Sequence, residues 1–254
     1  AGGMGVVHAG LQTSLQRQVA VKRALPRDPR AGDEALSAFL REAWISAKLE
    51  HPNIIPVHAL CSDNGDPVLV MKRVEGVSWR AMLEDPQLAR DHGLDPRDPL
   101  RFHLRVLLRV CRAVHFAHTR GVVHLDLKTD NVMVGRHGEV YLLDWGLAAS
   151  FRADAESFLP RTADIQAVVG TPGYLSPEQA AGLGTLLGPR TDIFLLGAVL
   201  HRVVTGSVPY TGGTLLQALG QAFTCAPQVY GPDVPTELAA ILTNAMMRSF
   251  EERY

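Results

Sequence analysis

The chain is 254 residues long, 46% hydrophobic and 20% charged, enough to bury one substantial core or the two modest cores of a bilobed domain, and it excludes disorder as the default state. Its 25 Lys and Arg against 26 Asp and Glu leave no global basic field of the kind that nucleic acid or an anionic membrane surface selects. Cys61, Cys111 and Cys225 are odd in number and lack C-x-x-C spacing, which argues against a disulfide framework or a zinc site and fits a reducing cytoplasm.

In chain order, Ala1-Gly2-Gly3-Met4-Gly5 carries neither a signal peptide nor an initiator Met, so a piece of a longer protein is expected. Gln18-Val19-Ala20-Val21-Lys22 alternates as a strand, with Ala20 and Lys22 on one face. From Asp33 to about Glu50 the apolar residues Leu36, Phe39, Leu40, Ala43, Trp44 and Ala47 recur at helical spacing, and His51-Pro52-Asn53 stops that helix. Two β-rich runs, Ile54 to Leu60 and Val68 to Val74, flank the turn-rich Ser62 to Pro67 and read as a hairpin. Glu84 to Pro99 reads as a loop-prone connection into a long helix, Leu100 to Thr119, ended by Gly121. Its Arg101 to Arg112 stretch alternates with apolar residues as a half-solvated helix does. Short strands are expected around Met133 and from Tyr141 to Leu143, then a weakly patterned stretch to about Tyr174. Helices follow at Thr191 to Val204, Leu215 to Phe223 and Thr236 to Met247. The apolar run from Ile193 to Leu200 is far shorter than the roughly 20 residues of a membrane-spanning helix. The segment therefore reads as soluble.

The chemistry concentrates in Val123-His124-Leu125-Asp126-Leu127-Lys128-Thr129-Asp130-Asn131, followed by Leu143-Asp144-Trp145-Gly146. An Asp, a Lys and an Asn on a tight loop can converge on a phosphoryl group and its hydroxyl acceptor, and a second Asp can hold metal. Phosphoryl transfer needs positioning and charge neutralisation, and hard oxygen ligands suit Mg²⁺.

These segments, in order and spacing, resemble the protein kinase family over nearly the whole chain, most of all the bacterial kinases of eukaryotic type. Ala1 to Val7 resembles the tail of the G-x-G-x-x-G-x-V loop, and Val19-Ala20-Val21-Lys22 resembles V-A-I-K. The Asp126 loop resembles H-R-D-L-x-x-x-N, Asp144-Trp145-Gly146 resembles D-F-G, and Ser176-Pro177-Glu178 resembles A-P-E. The resemblance implies a two-lobed α+β fold: an N-lobe of residues 1–74 with five strands, the first incomplete, and one helix, then a mainly helical C-lobe of residues 75–254 lacking its last helices.

It also implies a Ser/Thr protein kinase that uses ATP as substrate with Mg²⁺ or Mn²⁺. Lys22, held by Glu42, would grip the α- and β-phosphates beneath Gly2, Gly3 and Gly5. Asp126 would accept or orient the acceptor hydroxyl, Lys128 would neutralise the γ-phosphoryl, and Thr171 would contact both. Asn131 and Asp144 would hold the metal. The adenine would lie between Val7 and Ala20 above and Met133 below, with Met71 as gatekeeper and the backbone of Lys72 and Val74 as hinge. Asp192 would tie down the catalytic loop, and Glu178 with Arg253 would form a buried ion pair.

The implied partners are protein substrates with Ser or Thr acceptors, and dimerisation for autophosphorylation is compatible with this. Nucleic acid and a membrane segment are not expected here, although the parent protein could be membrane-anchored. Leu125 departs from the family, where Arg commonly receives a phosphate of the activation segment; activity is therefore expected not to need a phosphate on Ser157 or Thr162. Trp145 in place of Phe would add bulk behind Asp144. His115 and His118 sit three apart on a helix without a third ligand and read as packing or surface residues. Two rival functions share parts of the pattern: a small-molecule phosphotransferase, which Gly170 to Glu178 argues against, and a scaffolding pseudokinase, which would need a defect not seen among the site residues.

Overall fold

The computed structural model describes residues 5–24, 34–92, 94, 97–155 and 158–254. Gly2, Gly3 and Ser157 lie outside them. The first part is an antiparallel sheet of β1 (Gly5–Gln12), β2 (Arg17–Ala24), β3 (Val57–Asp63) and β4 (Asp66–Lys72), ordered β1-β2-β4-β3. Helix α1 (Glu34–Lys48) packs on it. Four strands are thus seen among the described residues where five were expected; the fifth would precede the glycine loop, and residues 1–4 are outside the described set.

The expected hairpin is tighter than its turn-rich sequence suggested. Asp63 pairs with Asp66, so the loop is Asn64 and Gly65 alone, at φ +51° and +90°. That is the geometry a two-residue primed turn demands and Asn-Gly supplies. The preceding run divides at Pro56, which has no N–H for a ladder: Ile54 bridges in parallel to Leu142, and β3 begins only at Val57.

Helix α1 also presents a different face from the one its apolar spacing marked. Phe39, Ala43, Ile45 and Leu49 are buried together with the polar Glu42 and Ser46, whereas Trp44 is 40% exposed and Ala47 faces out. The rotation follows from Glu42, whose carboxylate faces Lys22 inside the protein. Trp44 instead meets Phe158 edge-on, with ring centroids 5.3 Å apart.

The second part begins with β5 (Gly76–Ser78), which pairs with β7 (Val132–Gly135), itself paired with β8 (Val140–Leu142). Helix α2 (Trp79–Glu84) ends where the stretch read as a loop begins, and helix α3 (Gln87–Asp91) lies within that stretch. There the Asp85 carboxylate accepts the Gln87 N–H at 2.9 Å and starts a new turn. Helix α4 (Pro99–Thr119) is N-capped by Asp98 and buries Val106, Val110, Ala113, Val114 and Ala117. Strand β6 (Val122–Val123) pairs with β9 (Ala149–Ser150). After the short α5 (Pro177–Ala180) comes α6 (Pro189–Thr205), buried on most sides, as its nearly all-apolar interior requires. Helices α7 (Leu215–Thr224) and α8 (Thr236–Ala245) complete the layer. The main core runs from Ile45 and Leu49 through Trp79 and Trp145 to Phe194 and Leu242. Among the described residues no helix is long and apolar enough to cross a membrane, and the three cysteines are free thiols.

Candidate active site

Between the sheet and the helical part lies a cavity of about 440 Å³ lined by Val7, Ala20, Lys22, Glu42, Met71, Lys72, Val74, Asn131, Met133 and Asp144. Every described residue expected to surround a nucleotide, Gly5 apart, is in that lining. It also includes His8, Ala9, Ile55, Arg73 and Leu143, which no motif singled out. Lys72 donates its backbone N–H to the Pro56 carbonyl at 2.9 Å, so what this residue can offer a ligand is its carbonyl. Its ammonium is turned away to the Tyr141 hydroxyl.

At the back of the cavity the Lys22 ammonium is hydrogen-bonded to the Glu42 carboxylate, and both residues are buried. Burial pushes the Glu42 carboxyl above its ordinary range; the Lys22 ammonium opposes that shift and the nearby Asp144 charge adds to it. Helix α1 is tied to the Asp144 turn as well, by Arg41 Nη1 donating to the Gly146 carbonyl at 3.2 Å.

On the loop after β6, Asp126 is 8% exposed. One of its carboxylate oxygens accepts from Thr171 Oγ1 at 2.6 Å and the other from Lys128 Nζ at 2.7 Å. Lys128 Nζ also donates to Thr171 Oγ1 at 2.7 Å, which closes a triangle. Asn131 Nδ2 donates to the Asp126 carbonyl at 2.9 Å, which leaves its own amide oxygen as a ligand atom. Two hard oxygen sources, Asn131 and Asp144, therefore face one cavity, and the Glu42 carboxylate in the same lining is near enough to feel the Asp144 charge. That donor set fits a divalent ion that takes one or two protein ligands and completes its shell with phosphate and water.

The loop is held from below. The buried Asp192 carboxylate accepts the backbone N–H groups of His124 and Leu125, each at 2.9 Å, and lies 2.8 Å from His118 Nε2. His118 is thus a packing residue. His124, quoted in the motif without a role, bridges two functional loops: its Nδ1 accepts the Asp126 N–H at 3.3 Å and its Nε2 lies 3.2 Å from the Leu143 carbonyl. Its ring sits 4.6 Å from that of the fully buried Trp145. Leu125 at φ +65° and Asp144 at φ +60° hold a conformation that costs non-glycine residues energy and clusters at functional sites.

Outside Lys128 and Thr171 a cleft opens past Pro172 and Tyr174 towards Thr214. One wall is a ring of side chains. Thr129 Oγ1 lies 3.1 Å from the Tyr174 hydroxyl, to which Arg202 donates at 3.0 Å; Arg202 also donates to Glu84 at 2.9 Å. Arg80 then joins Glu84, at 2.8 Å, to Asp130, at 3.0 Å.

The protein kinase domain family profile matches residues 1–237. The chain belongs to the protein kinase family. This kinase domain is 32% identical over its whole length to the serine/threonine-protein kinase PknD of Chlamydia caviae and 33% identical to PknD of Protochlamydia amoebophila. Against PknD of Chlamydia trachomatis it is 34% identical over 82% of the chain. The kinase domain spans only 28%, 27% and 24% of the length of those curated relatives.

Proposed function

We propose that this domain transfers the γ-phosphoryl group of ATP to Ser or Thr hydroxyls of proteins, within a longer protein. The observation that carries the reading is the Asp126, Lys128 and Thr171 triangle opening beside the cavity that holds Lys22, Asn131 and Asp144. The bond from the γ-phosphorus to the β–γ bridging oxygen breaks, a bond from phosphorus to the acceptor oxygen forms, and the hydroxyl proton passes to the Asp126 carboxylate. Thr171 and Lys128 fix both oxygens of that carboxylate, and Lys128 lies where charge develops on the transferred group. Lys22, oriented by Glu42, holds the α- and β-phosphates. Asn131 and Asp144 would hold the metal; the ion, Mg²⁺ with Mn²⁺ as substitute, would supply charge neutralisation on the phosphates.

The lobes meet at residues 74 and 75, a boundary supported by β5 pairing with β7 rather than with the first sheet. The free thiols suit a reducing cytoplasm, and autophosphorylation through a transient dimer belongs to the same reading. Nothing in the site's geometry or among the relatives favours a small-molecule acceptor or a scaffold.

The test is transfer from γ-labelled ATP, in the full protein with Mg²⁺, to itself and to a generic basic protein. Asp126→Asn should lower kcat by about 10²–10⁴-fold, the worth of a positioned general base, and Lys22→Met should abolish transfer without unfolding the protein. Mg²⁺-dependent ATP binding with no transfer to any Ser or Thr would overturn the assignment.

A further inference from the structure

Thr171 and Asp126 are 45 residues apart in the chain, yet share a 2.6 Å hydrogen bond, so something must hold their two backbone segments together. Asp192 takes only the N–H side of the Asp126 loop. The carbonyl side is taken by Gln179, a fully buried side chain at the end of the activation segment. Its Nε2 donates to the Leu125 carbonyl at 2.7 Å and to the Val169 carbonyl at 3.1 Å. The first residue directly precedes Asp126 and the second stands two before Thr171. One amide group thus bridges the two segments that carry the triangle.

The amide has no second orientation available. Its Oε1 accepts from the Ser176 backbone N–H at 3.1 Å and from the Ser176 hydroxyl at 3.2 Å, while both faces of its NH₂ meet carbonyls. A flip would set like against like at three of the four contacts, the two carbonyls and the Ser176 N–H. The neighbouring residues conform to the bridge. Gly170, at φ +110°, has no room for a side chain, since a Cβ there would come within 3.0 Å of Gln179 Nε2 and 3.1 Å of the Leu125 carbonyl. Leu125 is buried in an apolar cluster with Val123, Ala149 and Leu187, against which Ile165 and Val169 pack. Besides the Thr171 and Tyr174 hydroxyl contacts already described, the segment is joined to the loop by this cluster and by one uncharged amide.

We propose that Gln179 is a positioning residue for phosphoryl transfer: by bridging the Leu125 and Val169 carbonyls it sets Thr171 against the Asp126 carboxylate. It touches neither nucleotide nor acceptor, and the inference rests on the kinase reading above. Removing it loosens the triangle and leaves the nucleotide cavity intact.

Two variants of the full protein test this. Gln179→Met keeps the volume and loses both donors; kcat should fall by about 10–100-fold, the range expected when buried carbonyls lose their partners, with KM for ATP unchanged. Gln179→Glu keeps the shape but sets a carboxylate against two carbonyls. Burial raises the pKa of such a group, and its protonated form regains one O–H donor towards Leu125. The ratio of its kcat to that of the unaltered protein should therefore climb as pH falls from about 8 to about 6, whereas the Met variant stays flat. Amide hydrogen exchange across residues 169–174 should quicken in the Met variant whether or not the acceptor is known. The proposal is overturned if Gln179→Met keeps kcat within about twofold, if KM for ATP rises in step with the loss, if the Glu ratio is flat with pH, or if exchange is unchanged. An unaltered protein that binds Mg²⁺-ATP and transfers nothing sinks the kinase reading instead, and the exchange result alone then judges the bridge.

Discussion

His103 shows how one side chain ties stability to acidity. Trp79 Nε1 donates to its Nδ1 at 2.9 Å, so the ring must be an acceptor and neutral there, and burial lowers its pKa from 6.5 to about 4. A base whose folded pKa is depressed favours folding above its unfolded pKa and loses that contribution as pH falls through the window from 6.5 to about 4. We expect denaturant stability to decline across that window, and the decline to flatten in His103→Gln, which keeps an acceptor for Trp79 but does not titrate. Equal slopes in the two proteins would refute the assignment. At the same scale, Asp126, Asn131 and Asp144 were singled out by a tight loop and Lys22 by its resemblance to V-A-I-K, and Lys22, Asn131 and Asp144 line one cavity. Gln179 and His124 were not, because the Leu125 and Leu143 carbonyls they reach lie 54 and 19 residues away. His124 had at least its place in the loop motif as a signal; Gln179 had none beyond following Glu178.

Elements differed from their sequence pattern where a polar contact outweighed periodicity. Helix α1 was expected to bury Trp44 and Ala47, but the Lys22–Glu42 pair turns it so that Ser46 goes in and Trp44 goes out to meet Phe158. The helices of the second part, set by longer apolar repeats, lay close to expectation, and only α3 arose where Pro and Asp had suggested a loop. The activation segment follows the same logic of partners. Thr162, a candidate phosphate site, is buried in a short 3-10 turn, and Leu125 offers an apolar surface where a phosphate would need a cation. Ser157→Ala combined with Thr162→Ala should therefore leave kcat within about threefold of the unaltered protein. A loss of several orders of magnitude in the transfer assay would overturn this and show that a phosphate on one of these two residues is required.

For the whole molecule, a buried ion pair ties Arg253 to the short helix α5. Arg253 grips Glu178 through both nitrogens, at 2.7 and 3.0 Å, with side-chain exposures of 0% and 4%, and also donates to the Met247, Arg190 and Arg248 carbonyls. Arg253→Met should cost about 3–5 kcal/mol in urea unfolding, since it strands a buried charge, and Glu178→Leu with Arg253→Met should cost less than the single change. Additive losses would refute the pair's coupling. The side-chain ring beside the cleft past Pro172 and Tyr174 has a different temper. Its inner link, Arg202, is 12% exposed, but Arg80, Glu84 and Asp130 are 50%, 52% and 34% exposed, and exposed ion pairs of this kind are weak and weakened further by salt. Added salt would thus soften one rim of the cleft while the buried Asp126, Lys128 and Thr171 triangle keeps its shape, so that, on the proposed function, ionic strength would act as a dial on the grip of the acceptor rather than on the transfer.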